Sequence, residues 1–216
     1  MQKILKTGKI FIAQMEQACY EALIDSSWLY SLNPIQNFFA GAPGMNPLFE
    51  KRSLVFGCGN PLLGDDGFGP QVIERLTADH ALPTWVGALD VGTAIRDILF
   101  DLLLVPQKPE RLIVVDAMDH TGRPAGEILE IDVDAISPAK IVDFSLHQFP
   151  TTNMLKELRQ STPMEVRVLV VQVAQIPETV RPGLSAPVQA AVPRMCARIL
   201  EILRSPVRPK VGKEYD

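Results

Sequence analysis

The chain has 216 residues, 47% hydrophobic and 21% charged, with a formal net charge of −4. That balance fits one well-cored globular domain with an appendage, and the lack of a dense Lys/Arg stripe argues against general nucleic-acid binding. No run supplies the ~20 consecutive apolar residues of a membrane helix, and three scattered cysteines (Cys19, Cys58, Cys196) form neither a disulfide framework nor a CxxC. A reducing cytoplasm is therefore the expected compartment.

The first fifty residues differ from the rest. Lys3, Lys6 and Lys9 precede Ile10-Phe11-Ile12-Ala13, but Gln14, Glu16 and Gln17 cut that run too short for a signal peptide. Residues 10–31 have the pattern of an amphipathic helix, and Asn33-Pro34 and Ala40-Gly41-Ala42-Pro43-Gly44 read as loop. We take residues 1–52 as an N-terminal extension. It is either a mis-called start, with translation beginning at Met45, or an arm that docks a partner.

From Ser53 strand and helix signals alternate, which predicts an α/β three-layer sandwich with a mostly parallel sheet. The first strand covers about 53–58, and its helix buries Val72, Ile73 and Leu76. Trp85, Val86, Ala88 and Leu89 form a second strand ending in Asp90-Val91-Gly92-Thr93. A helix through Ile95, Ile98, Leu99 and Leu102 stops before Pro106. Arg111 to Asp116 is a continuous apolar run ended by a carboxylate, the pattern of a central strand. Residues 126–133 alternate polar and apolar, as an antiparallel edge strand does. Ser145-Leu146-His147-Gln148 is a loop before a helix carried by Met154, Leu155 and Leu158. Val166–Val173 is another buried strand. The last helix spans about 185–204, with Val188, Val192, Met195, Ile199 and Leu203 inward, and residues 205–216 form a solvated tail.

The chemistry concentrates in Gly57-Cys58-Gly59-Asn60-Pro61-Leu62-Leu63-Gly64-Asp65-Asp66-Gly67-Phe68-Gly69-Pro70. This loop follows a strand, yet Leu62 stands where a dinucleotide fingerprint needs its third glycine, and no Gly-Lys-Ser/Thr closes a P-loop. Asp65 and Asp66 would repel a pyrophosphate and suit a cation better. One of the pair, Asp65, is expected to cap the helix near Phe68. Cys58 reads as a small buried thiol rather than a nucleophile.

Three acidic strand ends then fall on one rim of a parallel sheet: Asp65/Asp66, Asp90 and Asp116. Clustered carboxylates repel unless a cation or proton compensates. His147 lies in a loop able to reach the same rim. His80 sits at a helix end, and His120 in Asp119-His120-Thr121-Gly122 reads as a turn, so His147 is the preferred imidazole. Carboxylates with one imidazole suit zinc, nickel, manganese or iron, and three protein ligands leave positions open.

The Gly59-to-Gly69 segment resembles the signature of the hydrogenase maturation proteases. Asp90-Val91-Gly92-Thr93, Val114-Val115-Asp116-Ala117, Ser145-Leu146-His147-Gln148, Gln175-Ile176-Pro177-Glu178 and Gly183-Leu184-Ser185 follow in the family's order across about residues 53–204. The resemblance implies a twisted, mostly parallel five-stranded sheet with helices on both faces. It also implies an endopeptidase that removes a C-terminal extension from a nickel-iron hydrogenase large-subunit precursor after nickel insertion. Its ligands fall on Asp66, Asp116 and His147, and Asp90 matches a further acidic position with a catalytic role alongside Asp66. Asp66 departs from the family's commoner Glu. The nickel would come with the substrate, zinc or cadmium serving as surrogate. A non-cleaving, nickel-checking chaperone of the same precursor is the alternative. An esterase is weakened by the missing Gly-x-Ser-x-Gly elbow.

Overall fold

A computed structural model describes residues 47–119, 121–133 and 149–207. The proposed helix at 10–31, His120 and the Ser145–Gln148 segment lie outside them.

The described chain is α/β. Its elements run β1 (Ser53–Cys58), α1 (Phe68–Asp79), β2 (Val86–Gly92), α2 (Ile95–Leu104), β3 (Arg111–Met118), β4 (Ile128–Ile131), α3 (Phe149–Ser161), β5 (Glu165–Gln172) and α4 (Ala186–Arg204). The strands form one five-stranded sheet in the order β2-β1-β3-β5-β4. All pairings are parallel except that of β4 with β5. The alternating 126–133 segment is thus an antiparallel edge strand, and the apolar 111–116 run is the middle strand, as expected.

Side chains of a strand alternate between faces. Val55, Ile113, Val115, Leu169 and Val171 form one core with Phe68, Val72, Leu76 of α1 and Val188, Val192, Met195, Ile199 of α4. The opposite set, Leu54, Phe56, Leu112, Val114, Val168 and Val170, is equally buried. The remaining helices, α2 and α3, pack on each other and bury Ile98, Leu99, Leu102, Leu155 and Leu158. Helix α2 ends at Leu104 for two reasons. Pro106 cannot continue it, and Lys108 Nζ donates to Leu103 O and Val105 O, satisfying carbonyls the helix leaves open.

The amino-terminal rim of the sheet is closed by one residue. Arg111, 1% exposed, pairs with Glu165 through Nε and Nη2, both at 2.8 Å. Its Nη1 donates to Ile202 O at 2.6 Å and Nη2 to Ser205 O and Pro206 O, so the guanidinium also fastens the end of α4.

The strand order reverses between β1 and β3, because β1 leads outward to β2 while β3 lies on its other side. Open α/β sheets bind ligands at such a switch point, outside the carboxyl ends of the strands. The glycine-rich loop after β1 and the end of β3 border it.

Candidate functional site

The glycine-rich loop folds back on its own strand end. Gly59 has φ +121°, and a Cβ there would stand 1.8 Å from the Asp66 carbonyl oxygen. Only glycine allows that turn and that approach. At the start of α1, a Cβ on Gly69 would meet Cys58 O at 2.2 Å and Val115 O at 2.7 Å. The helix is thereby seated directly on the ends of β1 and β3. Between these glycines a short 3-10 turn, Gly64–Gly67, carries both aspartates.

The two neighbours have opposite tasks. Asp65 is 1% exposed. Its Oδ1 accepts from Ser185 N at 2.6 Å, and its Oδ2 accepts from Ala174 N and Ser185 Oγ, each at 2.9 Å. The expectation that Asp65 caps α1 is therefore corrected: the N-cap is Gly67, without a side-chain cap. Asp65 instead ties the glycine-rich loop to the segment after β5 and to the N-cap residue of α4. Asp66 turns the other way. Its Oδ2 accepts from Asn60 N at 2.8 Å, which fixes the carboxylate on the inner side of the loop.

Asp90 and Asp116 reach the same rim from β2 and β3, the two strands that flank β1. Asp90 Oδ1 accepts from Gly92 N at 2.9 Å. Burial raises its carboxyl from the ordinary value, against the pull of that N–H. Asp116 Oδ1 accepts from Ala117 N at 2.8 Å. All three carboxylates bear on one group, the thiol of Cys58, which is 4% exposed. Burial pushes that thiol well above its usual range, and the charges of Asp116, Asp90 and Asp66 each add to the rise. A thiol so held stays protonated at neutral pH, which removes it as a nucleophile.

The loop following β3 is held by a residue the sequence did not point to. Gln172 Oε1, at the end of β5, accepts from Thr121 N at 2.9 Å and from Thr121 Oγ1, and its Nε2 donates to Val173 O. Its only local signal was a polar side chain ending an apolar strand.

Among the expected ligands, Asp66 and Asp116 share the rim with Asp90, while His147 lies outside the described residues. Among the described residues no three His, Cys, Asp or Glu groups are arranged to hold one ion. Carboxylates are the donor type that suits a divalent cation, and such an ion would relieve their mutual repulsion. His80 stands at the C-cap of α1.

Comparison with known proteins agrees with this architecture. The family model for hydrogenase maturation protease (HycI) matches residues 70–202. A Methanocaldococcus jannaschii protein provisionally named a hydrogenase maturation protease is 37% identical over 153 residues, covering 70% of this chain and 96% of its own length. The hydrogenase 2 maturation protease of Escherichia coli is 30% identical over 155 residues, covering 71% and 91%. Among solved structures, the E. coli hydrogenase maturating endopeptidase HybD superposes with a TM-score of 0.56 at 31% identity, over 71% of this chain and 92% of its own. No described helix is long and apolar enough to cross a membrane. With its signature loop, its sheet order and these relatives in agreement, the chain belongs to the hydrogenase maturation proteases, a family of endopeptidases.

Proposed function

We propose that this protein cuts the C-terminal extension from the large-subunit precursor of a nickel-iron hydrogenase in the cytoplasm, and that the precursor's own nickel is the recognition tag. In this reading Asp66, Asp116 and His147 take the vacant positions of a nickel ion that the substrate's cysteines already hold. Two carboxylates and one imidazole fit such an ion, and zinc or cadmium would occupy the same donors as surrogates. Bound there, the nickel supplies an anchor for the peptide and positive charge beside the scissile carbonyl.

The rest belongs to this chain. Asp90, and Asp66 where it is not engaged, are the carboxylates suited to take a proton from the attacking water. Water oxygen bonds to the carbonyl carbon, the C–N bond breaks, and the departing amine receives the proton. The hydrogen bonds from Asn60 and Gly92 hold these carboxylates still while this happens. Residues 1–52 remain, in this reading, an extension outside the catalytic domain of 53–204, and 205–216 a tail.

The observation that carries the reading is that Asp66, Asp90 and Asp116 stand at or just beyond the carboxyl ends of three neighbouring parallel strands, β1, β2 and β3, on one rim of the sheet. Like charges gathered around a buried, protonated group destabilise the fold unless a visiting cation relieves them. The test is co-expression with a candidate precursor and intact-mass measurement of the large subunit. The native protein should remove the tail from nickel-loaded precursor. Asp116→Asn and His147→Ala should each slow that by at least about a hundredfold with circular dichroism unchanged. Normal processing by both variants would refute the ligand assignment.

A further inference from the structure

Beside the Asp66 loop lies a cleft of about 400 Å³ whose walls are the 3-10 turn at Gly64-Asp65 and the segment from Ala174 to Ser185. It is built rather than incidental. Buried Asp65 joins both walls at the base through its bonds to Ala174 and Ser185. Nearer the mouth, Arg181 N donates to Leu62 O at 2.8 Å and Gly64 N to Arg181 O at 2.9 Å, a short parallel bridge between Leu63 and Arg181. The backbone of Arg181 is thus pinned on both sides.

Two features, one at the bridge beside the cleft and one in the cleft itself, are not used by the site described above. Leu62 and Val180, on either side of the bridge, are exposed at 51% and 70%. Arg181 is also exposed, and among the described residues it is the only cation lining the cleft. It enters no ion pair with the described residues, although the rim nearby carries Asp66, Asp90 and Asp116. A guanidinium without an ion pair among the described residues, on a backbone fixed to the loop that carries Asp66, invites an anion. Asp65 is one residue from Asp66, so a chain lying at the reacting rim need extend only a few residues, at ~3.3 Å each, to enter the cleft.

We infer that this cleft receives the substrate's chain next to the scissile bond, with Arg181 as the specificity-determining residue that takes a carboxylate of that chain. This rests on the proposed proteolysis of a precursor tail. The exposed Leu62 and Val180 side chains cover the apolar part of the same segment. The carboxylate comes either from an acidic side chain near the cut or from the α-carboxylate of the tail.

The experiment compares the native full-length protein with Arg181→Glu and Arg181→Lys on nickel-loaded precursor. Arg181→Glu should raise KM by about ten- to hundredfold, the worth of a charge-assisted hydrogen bond, with kcat nearly unchanged, and Arg181→Lys should restore most of the loss. Two further precursors identify the source. In one, acidic residues flanking the cut become amides; in the other, the C-terminal carboxylate is amidated. Whichever carries the recognised group should lose the same factor with the native enzyme and become indifferent to Arg181→Glu. An unchanged KM for Arg181→Glu, or a loss that persists in both altered precursors, overturns the inference. Fluorescence anisotropy of labelled precursor keeps the two readings apart. If the native protein binds but does not cut, and Arg181→Glu binds more weakly, the cleft assignment stands while proteolysis falls. Equal binding by both proteins sinks the cleft.

Discussion

The two rims of the sheet treat charge in opposite ways. At the amino-terminal rim buried Arg111 pairs with half-buried Glu165, and the guanidinium also meets three backbone carbonyls. At the carboxyl-terminal rim Asp66, Asp90 and Asp116 crowd a single thiol whose proton they make harder to remove. The first arrangement satisfies its charges and closes the fold. The second gathers charges of one sign, which the fold tolerates only at some cost in stability. In the proposed reading such repulsion is relieved by the substrate's metal ion, while a saturated ion pair serves as a joint. Within the site the same contrast recurs across one peptide bond, since Asp65 is saturated and structural whereas Asp66 belongs to the crowd.

The contrast can be broken from its structural side first. Arg111→Ala leaves half-buried Glu165 without its main partner and unfastens the end of α4, and should cost about 3 kcal/mol in unfolding free energy, measured by urea denaturation. Processing per folded molecule should hardly change, because the proposed reacting rim is at the other end of the strands. A variant that stays as stable as the native protein would erase the distinction. Asp65→Ala comes next. It orphans two backbone N–H groups and a hydroxyl, but partial exposure of Ala174 and Ser185 lets water replace some of the loss, so about 2 kcal/mol is expected. Unlike Arg111→Ala, it should also impair precursor binding, because it releases one wall of the cleft.

These residues show where the sequence was readable. Continuous apolar runs at 54–56 and 112–115 and the alternation across 126–133 pointed to the strands, because burial on two faces or one writes itself into local periodicity. Asp66, Asp90 and Asp116 could be grouped on one rim since parallel strands align their ends. Asp65 was misread as a cap because its partners lie 109 and 120 positions away, beyond any local spacing. Arg111 at a strand start carried no hint of the carbonyls of Ile202, Ser205 and Pro206 that it would meet. The convergence on Cys58 and the placing of Arg181 by its bridge to Leu62 likewise depend on contacts between distant segments.

The smallest effect tests whether an exposed ion pair behaves like the buried one. Glu130 on edge strand β4 receives Arg167 Nε at 2.7 Å and Nη2 at 2.5 Å, with Arg198 further off at 3.4 Å. The hydrogen bond from Arg167 is the main reason its carboxyl is lowered from the ordinary value, burial opposing and the charges of Arg167 and Arg198 assisting. The folded state therefore prefers the ionised form. Its contribution is fully present above the unfolded glutamate value of about 4.3 and disappears as pH falls through the lower folded value. Because the Glu130 side chain is 39% exposed, solvent screens the pair, and about 0.5 kcal/mol is the expected worth. Native protein and Glu130→Gln should differ by that amount at pH 7 and converge as pH falls through the lowered folded value. Raised salt should shrink the difference at neutral pH, whereas the loss caused by Arg111→Ala, shielded from solvent, should be nearly insensitive to salt.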